Sequence, residues 1–187
     1  MAEKEDRRVL YTKMFLKEAL LELMREKPID RITTTELCRR AGINRSTFYG
    51  HYYTVRDLLQ SIEDDLEKEL IRSLSANLNN STVHGLLCEI CEMMLRQKDL
   101  FEILLSDHGD AAFLERVVGM SKSITFAEWQ KNGMDLTGDT YDMVFDYVVD
   151  GSLAVLRHWA QHDMKQPPQE IAALIDKISN GGLSAFE

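Results

Sequence analysis

Only three cysteines and three prolines occur in 187 residues, aromatics make up 8%, and positive charge is in the minority, with 22 Lys and Arg against 31 Asp and Glu. Cys38, Cys88 and Cys91 form an odd set without the spacing of a disulfide scaffold. Reduced thiols are therefore expected, and no structural disulfide. No uncharged run approaches the roughly 18 residues of a membrane span. The opening MAEKEDRR leads into a helical pattern without a signal-peptide run. A cytoplasmic chain with no membrane partner is expected. No segment alternates with period two long enough to make a strand, and there is no internal repeat or low-complexity tract. With 44% apolar and 28% charged residues, neither a disordered nor a collagen-like polymer fits. What remains is an all-α globular chain of one or two small domains.

The mean charge hides a split. Residues 1–56 hold 12 Lys and Arg against 8 Asp and Glu, whereas 57–187 hold 10 against 23. The acidic part repels phosphates within a Debye length of about 8 Å at physiological salt. Only the N-terminal part is suited to a nucleic acid.

Leu16, Ala19, Leu20, Leu23 and Met24 recur at helical spacing, which predicts an amphipathic helix from Arg7 to Lys27, ended by Pro28. Three helix starts follow within 22 residues: Thr33 with Glu36 as a capping box, Asn44, and Thr54 with Asp57. Gly42 sits where the chain must turn sharply between two short helices. From Thr54 to about Asn77, Leu58, Leu59, Ile62, Leu66, Leu70, Ile71 and Leu74 predict a long connecting helix. Beyond the break at ANLNNST, five more helices fit near 82–97, 100–106, 110–131, 139–162 and 168–179. A break at Asn132-Gly133 separates the third from the fourth, and Pro167-Pro168 opens the last. That makes about nine helices in all.

A helix-turn-helix reads DNA with short side chains at the N-terminal end of its second helix, while hydroxyls and cations hold phosphates. Arg45, Ser46, Thr47, Tyr49 and His51 are of that kind. Phe48 and Tyr52 share the opposite, packing face. The bland reading is an ordinary helical hairpin with a polar surface.

The order of these residues resembles the DNA-binding domain of the tetracycline-repressor (TetR/AcrR) family. The likeness runs through the Leu16–Met24 helix, Ile32-Thr33, Leu37-Cys38, Ala41-Gly42-Ile43, Thr47-Phe48-Tyr49, His51-Tyr52 and Leu58. It implies a three-helix DNA-binding domain over residues 1–56 and a helical domain for ligand binding and dimerisation over 57–187. It also implies that Thr33 and Thr34 approach a phosphate. Arg45 and Thr47, with Ser46 beside them, would face the groove, and Tyr49 and His51 would clamp the backbone. Two positions depart from the pattern. Val55 stands where the family usually has Lys, leaving Arg56 next door as the candidate DNA contact, reaching a different phosphate or none, and Pro28 stands where Gly is more usual.

In the C-terminal part each candidate has a plainer alternative. Met93, Met94, Phe101, Phe113, Met120, Trp129 and Tyr141 offer the deformable apolar lining of a ligand pocket, or simple core. Phe145, Val149, Gly151, Leu153, Leu156 and Trp159 lie in a segment resembling a dimer-forming helix of Gram-positive family members, or in a monomer core. Cys88 and Cys91 share a helix face but lack further zinc ligands, so packing is expected. His158 and His162 have the i,i+4 spacing of metal ligands without the acid of a hydrolase motif, so surface histidines are expected. His108 is read as an exposed turn histidine. The resemblance implies a dimeric regulator, most often a repressor in this family, that binds a double-stranded DNA operator and is released by an unknown small-molecule effector. No metal, cofactor or catalysis is expected. The alternatives are an activator or a regulator controlled by a protein partner and, from a different class, a helical ligand-binding bundle with no DNA role.

Overall fold

The computed structural model describes residues 7–77, 83–131, 133–134 and 136–183, and among these it contains nine α-helices and no strand. The predicted break at 78–82, Asn132 and the Leu74 side chain lie outside the described residues. The chain forms two compact units, Met1–Lys68 with Asp107–Gly109, and Glu69–Ser106 with Asp110–Glu187.

In the first unit, α1 (Arg7–Glu26) buries Leu16, Ala19, Leu20, Leu23 and Met24, the residues whose spacing gave it away. It ends because Pro28 has no amide hydrogen with which to continue the ladder. A single 3-10 turn, Ile29–Arg31, follows, with Pro28 as its N-cap. The sequence reading had no element there, since one turn is too short to show periodicity.

α2 (Thr34–Ala41) is capped by the Thr33 hydroxyl, which accepts from the Glu36 amide at 3.3 Å. The Glu36 carboxyl is held below its usual range by its hydrogen bond with Lys27 and also by the Thr33 backbone. α3 (Arg45–Tyr49) is capped by Asn44, whose side-chain oxygen accepts from the Ser46 amide at 2.9 Å. α4 (Val55–Asn77) starts with a reciprocal box. Here the Thr54 hydroxyl accepts from the Asp57 amide at 3.1 Å, and the Asp57 carboxylate accepts from the Thr54 amide at 2.9 Å.

Between α2 and α3, Gly42 adopts φ 65° and ψ 25°, and the Ile43 amide donates back to the Cys38 carbonyl at 2.9 Å. This is the left-handed helix stop that glycine favours. A Cβ at this position would meet nothing within 4 Å, so a side chain there is opposed by backbone conformation and not by crowding. Gly42→Ala is expected to cost about 1–2 kcal/mol, read as a lower urea midpoint at unchanged slope. An unchanged midpoint would show that the turn does not depend on glycine.

The second unit holds α5 (Val83–Arg96), α6 (Lys98–Leu104), α7 (Ala111–Lys131), α8 (Gly138–Gln161) and α9 (Pro168–Leu183). Pro168 occupies the first helical position, where its missing amide hydrogen costs nothing. α5 packs most extensively on α9, and α8 lies against α6, α7 and α9. An aromatic cluster closes one core: the Tyr141 ring meets Phe126 edge-on at 4.7 Å and Trp129 at 5.6 Å, and stacks on Phe145 at 5.9 Å.

Candidate nucleic-acid interface

α3 divides its five residues by face. Phe48 is fully buried against Tyr52, Thr47 is half-buried, and Arg45, Ser46 and Tyr49 are exposed. The exposed pair is preassembled. An Arg45 guanidinium nitrogen lies 3.4 Å from the Tyr49 hydroxyl, and the guanidinium carbon sits 5.8 Å from the Tyr49 ring centre. The Arg45 hydrogen bond, and after it one from the Thr34 hydroxyl, holds the Tyr49 phenol below its usual range. His51, just past α3, is exposed, with its ring 6.3 Å from Tyr52.

Beside this face an open notch of about 310 Å³ is lined by Thr33, Thr34, Tyr53, Thr54, Arg56 and the residues around them. Two helix N-termini, those of α2 and α4, contribute to it. Helix N-termini present unpaired amides and a partial positive charge, which is a setting for an anion.

The two family departures find their places here. Val55 is only 7% exposed and belongs to the core, so no side-chain cation stands at that position. Arg56 points to Asp30, with its guanidinium 2.5 Å from the carboxylate. Sequence reasoning missed Tyr53, which is 89% exposed on the rim of the notch. It lies between α3 and α4, where no periodicity marks a face, so the sequence carried no signal for it.

The candidates in the second unit are distributed differently. Met93, Met94, Phe101, Phe113, Trp129 and Tyr141 are buried, and Met120 is half-buried. The Tyr141 hydroxyl is already used, donating to the Lys122 carbonyl at 2.6 Å. Of the residues assigned to a dimer contact, Phe145, Leu156 and Trp159 are buried within the chain itself, Val149 and Leu153 are half-buried, and Gly151 is exposed. The Trp159 indole donates to the Gln166 carbonyl at 3.1 Å, which locks it into its own chain. The large apolar residues left in solvent on α8 and α9 are Met143, Tyr147, Leu174 and Ile178. They lie one turn apart in each helix.

Cys91 is fully buried, and burial pushes its thiol up to about 12. Cys88 lies 3.5 Å from the His84 ring and is also raised, first by burial and then by Glu92 and Asp176. Thiols so placed are poor nucleophiles and poor metal ligands. Among the described residues no group of three or more His, Cys, Asp and Glu side chains is arranged to hold a metal. His158 and His162 are exposed, with rings stacked at 3.9 Å. His108 is half-buried, in contrast to the exposed state expected, and its Nδ1 lies 2.8 Å from the Met24 carbonyl. A Cys88→Ser/Cys91→Ser variant is expected to keep DNA binding while losing some stability from the buried hydroxyl, about 1–3 kcal/mol. Zinc bound stoichiometrically to the purified protein and lost in this variant would overturn that.

A family profile described as "Transcriptional regulator C-terminal region" matches residues 81–181, and another described as "Bacterial regulatory proteins, tetR family" matches residues 16–62. A transcriptional regulator of the helix-turn-helix type from Bacillus subtilis (strain 168), YxbF, is 38% identical over 71 residues, which are 37% of this chain. The matched stretch spans only 19% of that relative's length. A TetR transcriptional regulator from Streptococcus agalactiae 2603V has the same fold, with a TM-score of 0.67 at 22% identity over 93% of this chain and 96% of its own. So does FadR from Bacillus subtilis in complex with stearoyl-CoA, with a TM-score of 0.64 at 14% identity over 93% and 99%. No helix among the described residues is long and apolar enough to cross a membrane.

Proposed function

The chain belongs to the tetR family of bacterial transcriptional regulators, and from that membership we propose that it acts as a homodimeric repressor, released from its operator by an effector held in the C-terminal helices. The observation that carries the DNA reading is the Arg45–Tyr49 pair beside a notch formed by two helix N-termini. In this reading, residues 1–56 bind DNA and 57–187 bind the effector and the second copy. Arg45, Ser46 and Thr47 read base edges in the major groove. Thr33, Thr34 and the first amides of α2 and α4 take phosphates, and Tyr49, Tyr53 and His51 flank them. Arg56, beside Asp30 at the notch, is a further candidate for a phosphate. The second copy docks on Met143, Tyr147 and Gly151 of α8 with Leu174 and Ile178 of α9.

The effector has an apolar body, because the side chains proposed to meet it are Met93, Met94, Phe101, Phe113 and their neighbours. That FadR of Bacillus subtilis, similar in fold, is in complex with stearoyl-CoA supports this reading. A ligand favouring a C-terminal arrangement with wider half-site spacing shifts the population off DNA. No catalytic step is involved. Selection of bound fragments from random duplexes tests the reading. A recovered motif with two inverted half-sites about one helical turn apart supports it, and failure to enrich any duplex at low salt refutes it.

A further inference from the structure

The α6–α7 turn carries a side chain whose role the DNA reading leaves open. In an α-helix the Met24 carbonyl would accept from the amide of residue 28, but residue 28 is proline and has no amide hydrogen. The neighbouring ladder bond is intact, since Lys27 donates to Leu23 at 3.1 Å. Met24 is fully buried, so water does not supply the missing donor. His108 does: its Nδ1 lies 2.8 Å from the Met24 oxygen. A carbonyl only accepts, so Nδ1 carries the hydrogen. The departure from the family pattern at Pro28 and the half-buried histidine 80 positions later explain each other.

The turn that holds His108 is stiff at both ends. Before it, the Ser106 hydroxyl donates to the Ile103 carbonyl at 2.8 Å, and after it the Asp110 carboxylate caps α7 by accepting from the Ala112 amide at 2.9 Å. Asp107–Gly109 belongs to the compact unit of α1, although the chain on either side, ending α6 and beginning α7, does not. On the other side of the hydrogen bond, Pro28 leads directly into the 3-10 turn whose Ile29 and Asp30 line the notch.

We infer that His108 is a positioning residue for DNA binding: it replaces the hydrogen bond that Pro28 removes, and so ties the α6–α7 turn to the end of α1 that leads into the notch. The inference rests on the DNA reading of that notch. A change at the turn then reaches the notch through this bond. Coupling is reciprocal, so DNA bound at one end must alter the turn at the other. This removes any need to know the effector.

Amide hydrogen exchange, measured with and without the duplex recovered by selection, tests the bond. In the wild-type chain DNA is expected to slow exchange in α2 and α3 and also across residues 106–114. In His108→Ala the slowing across 106–114 is lost while that in α2 and α3 persists. His108→Asn, whose amide nitrogen takes the place of Nδ1 as a donor, restores it. Persistence of the 106–114 response in His108→Ala overturns the inference, as does its loss without rescue by His108→Asn, which would indicate packing alone. A wild-type response confined to α2 and α3 also overturns it. No slowing in α2 and α3 refutes the DNA reading itself, and this inference with it. An Ala variant that fails to fold leaves the Asn variant to decide, because wild-type coupling with an amide in place of the ring is predicted only if the hydrogen bond is what acts.

Discussion

A Tyr147→Asp/Ile178→Asp variant is expected to be a monomer at micromolar concentration and to lose operator binding, while keeping wild-type helicity. Both side chains are exposed on the single chain, Tyr147 at 78% and Ile178 at 58%. Replacing them therefore removes little packing from the protomer, and exposed substitutions of this kind stay within about 0.5 kcal/mol of wild-type stability. In a dimer each aspartate is buried without a partner, and an uncompensated buried charge costs roughly 3–5 kcal/mol. Two on each copy raise the dissociation constant by many powers of ten. Operator binding follows, because a single copy engages one half-site and loses the second binding event that the dimer makes intramolecular. Light scattering and operator titration read the two effects together. A variant that remains dimeric places the docking face elsewhere. By contrast, Trp159→Ala empties a fully buried site and is expected to lower fold stability first.

That contrast marks where sequence reading runs out. For Phe145, Leu156 and Trp159 the sequence leaves a partner contact and a monomer core both open, because the helix carries more apolar residues than one face needs. A surplus of apolar surface does not say whether it is covered by the same chain or by another. The α6, α7 and α9 neighbours of α8 cover most of it, and the exposed remainder is shared with α9. Only the tertiary arrangement distinguishes Tyr147 from Phe145, two residues away on the opposite face.

What was legible was local. Thr33, Asn44, Thr54 with Asp57, and Gly42 each act on the backbone within a few residues, so their chemistry is written in adjacent letters. The Ile29–Arg31 turn escaped because it is shorter than any period. The Arg56–Asp30 ion pair spans 26 positions and the His108–Met24 bond spans 84, and no spacing rule reaches across such distances. The exposed face of α3 was readable because a short helix with one buried aromatic leaves few choices for the remaining side chains. Tyr53, in the irregular stretch before α4, had no such constraint.

Arg45→Ala is expected to lower affinity for the selected operator by about 1–3 kcal/mol, the range for a bidentate arginine–base contact, or roughly five- to 150-fold. The fold should survive, since Arg45 is exposed and its bonding partner within the chain is Tyr49. Arg45→Lys should recover little of the loss, because a point charge lacks the planar fork that matches guanine. Tyr49→Phe removes the hydroxyl that lies 3.4 Å from the Arg45 guanidinium. It should give a smaller loss in the same direction by freeing the guanidinium to leave its bound orientation. Salt dependence separates the roles. A base-reading residue changes affinity for one sequence and leaves the slope of log affinity against log salt nearly intact, whereas a phosphate contact weakens all sequences and reduces that slope by about one. Arg45→Ala should therefore relax preference at one position of each half-site at nearly constant slope. Uniform weakening across sequences, with a reduced slope, would move Arg45 from base reading to the phosphate backbone.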